Sequence, residues 1–409
     1  MDRQLRPVTA DEADDFFLAE GVAFGSVPDA DALARYGALF EPDRSIAVFE
    51  AGQIVGTAGA YTFELTVPGA RTVPACGVSW VAVLPTHRRQ GILTQMMAHQ
   101  LADVAERGEP VAILTASEGT IYRRFGYGVA SAAAIVEVDK TRSAFRRPPA
   151  VGGRVRLVGR EEAAKLVPAL YDAFRRRRHG SVTRSDRYWE LWLKDPEAYR
   201  GGASGRFVAV HESDDGVADG FVSYRFKEDW DEVANRSQVR PVGVYALDPE
   251  VDAALWRFLL DVDLANVVRS HARPLDDPIA WRLADHRAWR VTGIVDWLWA
   301  CLVDVPAALA ARRYGTHGSL VLEVVDPFRP EAGGRFRLDG GPDGAECART
   351  DADPDLVLAA GDLGSAYLGG ARFAVLRRAG LVEERSRGAV ATADALFATD
   401  PLPFCDTGF

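Results

Sequence analysis

The sequence predicts an α/β to α+β fold: mixed sheets with helices packed on them, in three consecutive segments. Three observations carry this. Strand-like and helix-like apolar patterns alternate over the first 140 residues, the alternation restarts after a turn-rich stretch, and short strands among Pro/Gly-rich turns follow from about residue 306. A length of 409 residues accommodates two or three domains of about 150 residues each.

Residues 45–50 and 54–63 read as strands joined at Ala51-Gly52-Gln53, a glycine-containing hairpin signal. Residues 78–84 form a strand that runs into Pro85-Thr86-His87-Arg88-Arg89-Gln90-Gly91. Ile92, Leu93, Met96, Met97, Leu101 and Val104 then recur at helical spacing, the mark of a buried stripe. Strands at 111–115 and 131–139 complete the first set. Residues 141–153, basic and holding Pro148-Pro149 and Gly152-Gly153, read as a linker. Beyond it come a strand at 154–158, a helix at 161–178 and a hairpin of 206–211 with 220–226. A strand at 239–247, an amphipathic helix at 253–268 and mostly strand over 289–305 follow. The order of elements resembles the first set, without a residue-level repeat. The last segment holds strands at 318–325, 334–338 and 355–359 and a helix at 362–368, with 327–344 as hairpin and loop. The chain closes Pro401-Leu402-Pro403-Phe404-Cys405-Asp406-Thr407-Gly408-Phe409, whose aromatic and proline content predicts a packed end rather than a frayed one.

Composition narrows the function classes. A chain 48% hydrophobic and 26% charged has material for a core and is not a disordered polymer. A net charge of −10 argues against general binding of nucleic acid or anionic membrane, which needs clustered positive charge, and leaves room for a cationic partner. No apolar run approaches the roughly 18 residues of a spanning helix. The first twenty residues lack an apolar signal core and carry five acidic residues between positions 11 and 20, so a cytoplasmic protein is expected. Cys76, Cys301, Cys347 and Cys405 stand far apart with no C-x-x-C pair, which supports neither zinc nor a disulfide framework.

The chemistry-bearing pattern begins at Val81-Ala82-Val83-Leu84-Pro85 and ends at Gly91-Ile92-Leu93. A strand passes into a basic loop with a glycine, and the loop opens a helix. Free N–H groups and the positive end of the helix suit a pyrophosphate, Arg88 and Arg89 add full charges, and Gly91 permits close backbone approach. In isolation the same stretch reads more readily as a solvated basic turn, since basic loops are common. A second pattern follows the next strand: Thr115-Ala116-Ser117-Glu118-Gly119-Thr120-Ile121-Tyr122-Arg123-Arg124-Phe125-Gly126-Tyr127. By itself it places Tyr122 and Tyr127 in a core or at a site.

Together the two patterns resemble motifs A and B of the GNAT superfamily of N-acetyltransferases. Motif A reads Arg88-x-x-Gly91-x-Leu93 here, with Leu where the family has a small residue. The resemblance implies that Arg88, Arg89, Gln90, Gly91, Ile92 and Leu93 hold the pyrophosphate of acetyl-CoA. It also implies that the strand before the loop splays from its neighbour, so that Ser79, Trp80, Val81, Ala82 and Val83 offer main-chain groups to the pantetheine arm and the acetyl oxygen. Ser117 and Gly119 line the same site, and Tyr122 faces the departing thiolate, a phenol with a reference pKa of about 10 that can donate a proton at neutral pH. Tyr127 reads as a core aromatic, and His87 as a residue that steadies the loop.

The Val-Ala-Val-x-Pro-Thr-His-Arg-Arg-x-Gly-Ile-Leu run, the Ile-Tyr-x-Arg-Phe-Gly-Tyr-Gly run, the length and the terminal Phe are similar to the enhanced intracellular survival (Eis) family. That resemblance implies a catalytic GNAT domain at 1–145, a second GNAT-like domain without a cofactor site at 154–298, and a sterol-carrier-protein-like domain at 299–409 whose end reaches the active site. It further implies a homohexamer, direct transfer in a ternary complex, no metal, and amine acceptors such as aminoglycosides or lysine side chains. The base is then the terminal carboxylate of Phe409; Phe24, Tyr36, Trp80 and Asp406 join it around the acceptor. An α-carboxylate, with a reference pKa of about 3.3–3.7, is ionised at neutral pH and attracts an ammonium. A catalytically weak acyl-CoA or lipid-binding module is the contrasting reading. The second segment has acidic Glu250-Val251-Asp252 where a pyrophosphate loop needs positive charge, and Arg175-Arg176-Arg177-Arg178 reads as a charged helix face.

Overall fold

The computed structural model describes residues 3–230, 232 and 235–409, and its strands form three sheets. The first sheet runs in the order β1 (Arg3–Pro7), β2 (Ile46–Glu50), β3 (Gln53–Val67), β4 (Arg71–Val83), β5 (Val111–Leu114), β14 (Trp299–Leu302), β6 (Gly128–Val129). The second is β13 (Trp289–Asp296), β7 (Ala132–Asp139), β12 (Val267–Arg273), β11 (Gln238–Ala246), β10 (Ala218–Lys227), β9 (Phe207–Glu212), β8 (Arg154–Val158). The third is β17 (Gly344–Arg349), β16 (Gly334–Gly341), β15 (Gly318–Val325), β18 (Leu356–Ala359), β19 (Val382–Glu384). The chain divides into two compact units. One takes in the residues up to Ser131 together with Asp296–Phe409, and the other is Ala132–Val295.

Two strands have exchanged sheets relative to the sequence expectation. The stretch expected to close the first sheet is β7, which pairs antiparallel with β12 in the second. The strand at 289–305 is two strands, and its second half, β14, pairs antiparallel with β5 in the first sheet, Trp299 against Leu114. The burial patterns explain the parting. Trp299–Leu302 is buried at every residue, as a central strand must be, whereas Trp289–Asp296 is half open, as befits an edge.

In the first unit α1 (Ala13–Ala23), α2 (Ala30–Leu39) and α3 (Ile92–Glu106) pack on the sheet. The sequence reading passes over α1 and α2, whose apolar residues Phe16 and Phe17 are buried with Phe40, Ala47 and Phe49. The expected stripe of α3 is largely confirmed: Ile92, Met96, Met97, Leu101 and Val104 are buried, with Leu93 half-buried against the same core. The hairpin of β3 and β4 is longer than read, since the residues between 63 and 78 continue both strands around a tight turn.

The third sheet lies in the same unit, with α8 (Val305–Ala311), α9 (Ala360–Tyr367), α10 (Phe373–Arg378) and α11 (Ala389–Phe397). Every residue of α9 is buried. Its glycines let it lie backbone against backbone on β6 and β14: a Cβ on Gly128 would fall 1.7 Å from the Gly361 carbonyl oxygen, and one on Gly364 would fall 2.2 Å from that of Ala300. Phe125 meets Phe328 edge to face at 4.9 Å, and the buried Arg329 guanidinium donates to the carbonyls of Leu302 and Val303. The part of the unit that carries the chain end is thereby keyed to the β14–β6 end of the first sheet.

The second unit adds α4 (Arg160–Arg175), α5 (Asp186–Lys194), α6 (Pro249–Asp261) and the single turn α7 (Ile279–Arg282). The arginine run is not a uniform solvated face. Arg175 is buried against Asp172 at 2.7 Å and Arg178 pairs with Asp276 at 3.3 Å, because a guanidinium drawn out of water is stabilised by a carboxylate beside it. The start of α6 is capped by its own residues. Asp248 accepts from the Glu250 N–H, Pro249 lacks an N–H, and Glu250 pairs with Arg282 at 2.6 Å.

Replacing Gly128 by Ala forces the Gly361 backbone to move and should destabilise the first unit by about 1–3 kcal/mol or more. The control Gly37→Ala, inside α2 with nothing within 4 Å, should be neutral or slightly stabilising. Thermal unfolding of the two variants beside the parent checks this.

Candidate active site

The site begins as a fault in the first sheet. β4 pairs with β3 from Arg71 to Val83, but the register slips between Thr57 and Gly59, where β4 carries an extra residue. Trp80 sits in that bulge at φ +57°, and its carbonyl accepts the Thr57 hydroxyl at 2.8 Å. On the other side, β4 pairs with β5 only through Ala75–Val111, Cys76–Ala112 and Gly77–Ile113. From Val78 onward the two parallel strands part. The splay that the resemblance implies is therefore a feature of this chain, and its half-buried edge runs through Ser79, Trp80, Val81 and Val83.

Beyond Val83 the chain turns through a 3-10 turn at Pro85–His87, and Gly91, at φ +82°, caps α3. Arg89 also has positive φ, +61°. A network behind the loop holds it. Glu50, at the end of β2, takes Arg3 at 2.9 Å through one oxygen and His87 Nε2 at 2.7 Å through the other. His87 Nδ1 lies 2.8 Å from the Thr86 hydroxyl, Arg3 also donates to the Gln90 side-chain oxygen, and the Gln90 amide donates to the Thr86 carbonyl at 3.2 Å. His87 and Arg3 together hold the Glu50 carboxyl below the usual carboxylate range. Arg88 ties the loop to α1 through the Ala23 carbonyl at 2.9 Å.

Between the loop, the parted edge and the segment after β5 lies a cavity of about 820 Å³. Its walls hold Val81, Ala82, Val83, Arg88, Arg89, Gly91, Ile92, Leu93, Ser117 and Tyr122, all expected from the sequence. Thr94, Glu118, Ile121 and Arg124 line it too and had not been singled out. Tyr122 opens a 3-10 turn, is 6% exposed and lies edge to face with Tyr127 at 6.1 Å. Burial pushes its phenol up to about 12, with the charge of Glu118 adding to the effect. Tyr127 is fully buried, as a core residue. Leu93 faces the cavity and packs against the core beneath α3.

Of the other expected residues, Phe24 lies in the cavity lining, whereas Ser79, Trp80, Gln90, Gly119, Tyr36, Asp406 and Phe409 lie outside it. The Gln90 side chain is turned into the Arg3–Thr86 network, so only its backbone belongs to the loop's inner face. Gly119 is exposed and outside the cavity lining. Phe24, expected at the acceptor, stands 54% exposed on the cavity wall, drawn there because Arg88 fastens the end of α1 beside it. Tyr36 is part of an aromatic group with Phe17 and Trp80, ring centroids 5.4 and 5.2 Å away. Trp80 Nε1 donates to the Tyr61 hydroxyl at 2.9 Å, which carries the group across to β3.

The chain end lies on the same sheet. Phe404, Cys405 and Thr407 are buried, Asp406 is half-buried, and Phe409 is half-buried over β3 and β4. Its ring meets Phe63 edge to face at 5.0 Å, and the hydroxyl of Thr115 donates to a terminal oxygen at 3.1 Å. Thr115, just past β5, escaped the sequence reading; a polar residue closing the apolar run Val111–Leu114 is the signal that marks it. Among the described residues no cluster of three or more His, Cys, Asp or Glu is placed to hold a metal, and no helix is long and apolar enough to cross a membrane.

A GNAT acetyltransferase domain model matches residues 4–130, a second such model matches 180–300, and a sterol carrier protein domain model matches 305–406. An uncharacterized N-acetyltransferase of Streptomyces griseus is 39% identical over the full length of both chains. The N-acetyltransferase Eis of Mycobacterium tuberculosis is 34% identical over 96% of each. The crystal structure of Eis1 from Mycobacterium abscessus superposes with a TM-score of 0.87 at 37% identity, covering all of both chains.

Glu50→Gln weakens both contacts that brace the loop from behind. Coenzyme A affinity should fall roughly 3- to 10-fold, read by isothermal titration calorimetry, with the melting temperature close to that of the parent.

Proposed function

Because the chain belongs to the Eis family of GNAT N-acetyltransferases, we propose that it transfers the acetyl group of acetyl-CoA directly to an amine of a cationic acceptor, aminoglycosides among them. One observation carries the reading. The carboxylate of Phe409 is tethered to Thr115, at the mouth of the gap between β4 and β5, and the same segment continues through Ser117 and Glu118 to Tyr122 on the cavity wall.

The cavity suits an acyl-CoA. A Cβ at Gly91 would meet nothing within 4 Å, so the loop is open to a phosphate at the start of α3, and Arg88, Arg89 and Arg124 stand on the same wall. The loop N–H groups and these guanidinium groups hold the pyrophosphate. The parted edge of β4 supplies main-chain groups to the pantetheine amides and a donor to the thioester oxygen, where charge develops. Residues that fix both partners also supply the entropic part of the rate enhancement.

Phe409 and Tyr122 then divide the proton traffic. The Phe409 carboxylate attracts the acceptor ammonium and takes its proton through water or directly; the freed amine nitrogen forms the C–N bond as the C–S bond breaks. Tyr122 donates its phenol proton to the departing sulfur and is reprotonated by the proton that the nitrogen sheds as the amide forms, while the proton first taken by the carboxylate leaves to solvent. A phenol held up at about 12 keeps its proton at any working pH and regains it readily after each turnover.

Tyr122→Phe, and separately a short extension after Phe409, should each lower kcat on the order of 100-fold while coenzyme A affinity stays within about twofold. A thiol-release assay with acetyl-CoA, an aminoglycoside and a lysine peptide reads the first quantity and calorimetry the second. Full activity in both variants would overturn the assignment. Thiol release without an amine, or none at all, would instead mark a binding module. With a phenol pKa of about 12, kcat should show no alkaline fall attributable to Tyr122 up to pH 10.

A further inference from the structure

The last residue is held as a ligand is held. Three features meet around it, one from each of three neighbouring parts of the first sheet. Phe63 on β3 gives an edge-to-face ring contact at 5.0 Å. Gly77 on β4, in the last pair before β4 and β5 part, leaves room for both rings: a Cβ there would fall 2.3 Å from Phe63 Cε2 and 3.3 Å from Phe409 Cε2. Thr115 donates its hydroxyl to the terminal oxygen at 3.1 Å. The tail is anchored separately, upstream, by buried Phe404, Cys405 and Thr407. Gly408, which joins anchor to end, is exposed and touches nothing within 4 Å of where its Cβ would be. Anchor and ligand are thus two separable attachments.

We propose that Phe63, Gly77 and Thr115 form a recognition socket for an aryl carboxylate, a phenyl ring two carbons from a carboxylate, whose natural occupant is the chain's own terminal residue. They are positioning residues. The ring contact sets the depth, and the hydroxyl sets which way the carboxylate faces. An edge-to-face ring contact is directional as well as apolar, so the socket prefers the aryl acid to a simple alkanoate. The catalytic consequence rests on the reading of Phe409 as the base, whereas the binding consequence does not.

The experiment deletes Phe409 and adds 3-phenylpropanoate, which carries the same ring-to-carboxylate spacing. The shortened chain should lose on the order of 100-fold in kcat and keep its coenzyme A affinity. Millimolar 3-phenylpropanoate should bind to it in calorimetry and raise its turnover at least about tenfold, whereas propanoate and 3-phenylpropan-1-ol should do neither. Adding Gly77→Ala should abolish that binding. Absence of 3-phenylpropanoate binding to a folded, coenzyme-binding shortened chain, or equal effects of propanoate, would overturn the socket. Full activity of the shortened chain together with 3-phenylpropanoate binding would overturn the base and leave the socket standing. If the shortened chain does not fold, the full chain decides. Thr115→Val should lower kcat about tenfold at unchanged acetyl-CoA KM and Thr115→Ser should restore it, and wild-type kcat in Thr115→Val would overturn the proposal.

Discussion

Two parallel strands stop pairing after Gly77 and Ile113, and the rest of the first unit is arranged around that gap. A buried strand edge with free N–H and C=O groups is costly unless something satisfies them. The bulge at Trp80 steadies the gap from the other side, with the Thr57 hydroxyl on the Trp80 carbonyl and the indole packed against Phe17 and Tyr36. A bulky residue at positive φ persists only where its surroundings over-determine it, and here they do. The gap is consequently a rigid slot, and an extended chain bearing amides, as a pantetheine arm does, has the pattern to fill it.

The remaining elements supply charge and closure to that slot. The loop before α3 brings guanidinium groups to one end, braced from behind by Glu50 and its partners Arg3 and His87. The segment after β5 brings Tyr122 to the cavity. The third sheet contributes indirectly, by docking α9 through glycine-to-backbone contacts on β6 and β14, and so delivers the tail to Thr115. Where the chain end lies on the first sheet is thus a matter of domain packing as much as of local motif.

Legibility in the sequence followed the range of the interactions. The basic loop and the α3 stripe were readable because strand, basic glycine loop and helix are contiguous and each has its own period. The roles given to Tyr122 and Phe409 came through resemblance, since the residues themselves leave each as a core or a site group. The network of Glu50 with Arg3 and His87 joins residues from three elements, and no local pattern announces it. Thr115 was missed for a similar reason: its role depends on a partner at the far end of the chain. Phe24 and Gln90 were assigned through resemblance, whereas carbonyl hydrogen bonds at Ala23 and Thr86 decide where they stand. The strand exchange escaped because an apolar run such as Trp299–Leu302 states that it is buried on both faces but not in which sheet.

That exchange bears on how the protein comes into being on the ribosome. β14 lies between β5 and β6, so the sheet that holds the slot lacks its penultimate strand until residues beyond 300 have emerged. A nascent chain ending near residue 145 exposes the bare flank of β5, an apolar edge open to pairing with other chains. An excised catalytic fragment therefore needs Trp299–Leu302 grafted back, and activity in the growing polypeptide should appear late, after the second sheet's residues have already been synthesised.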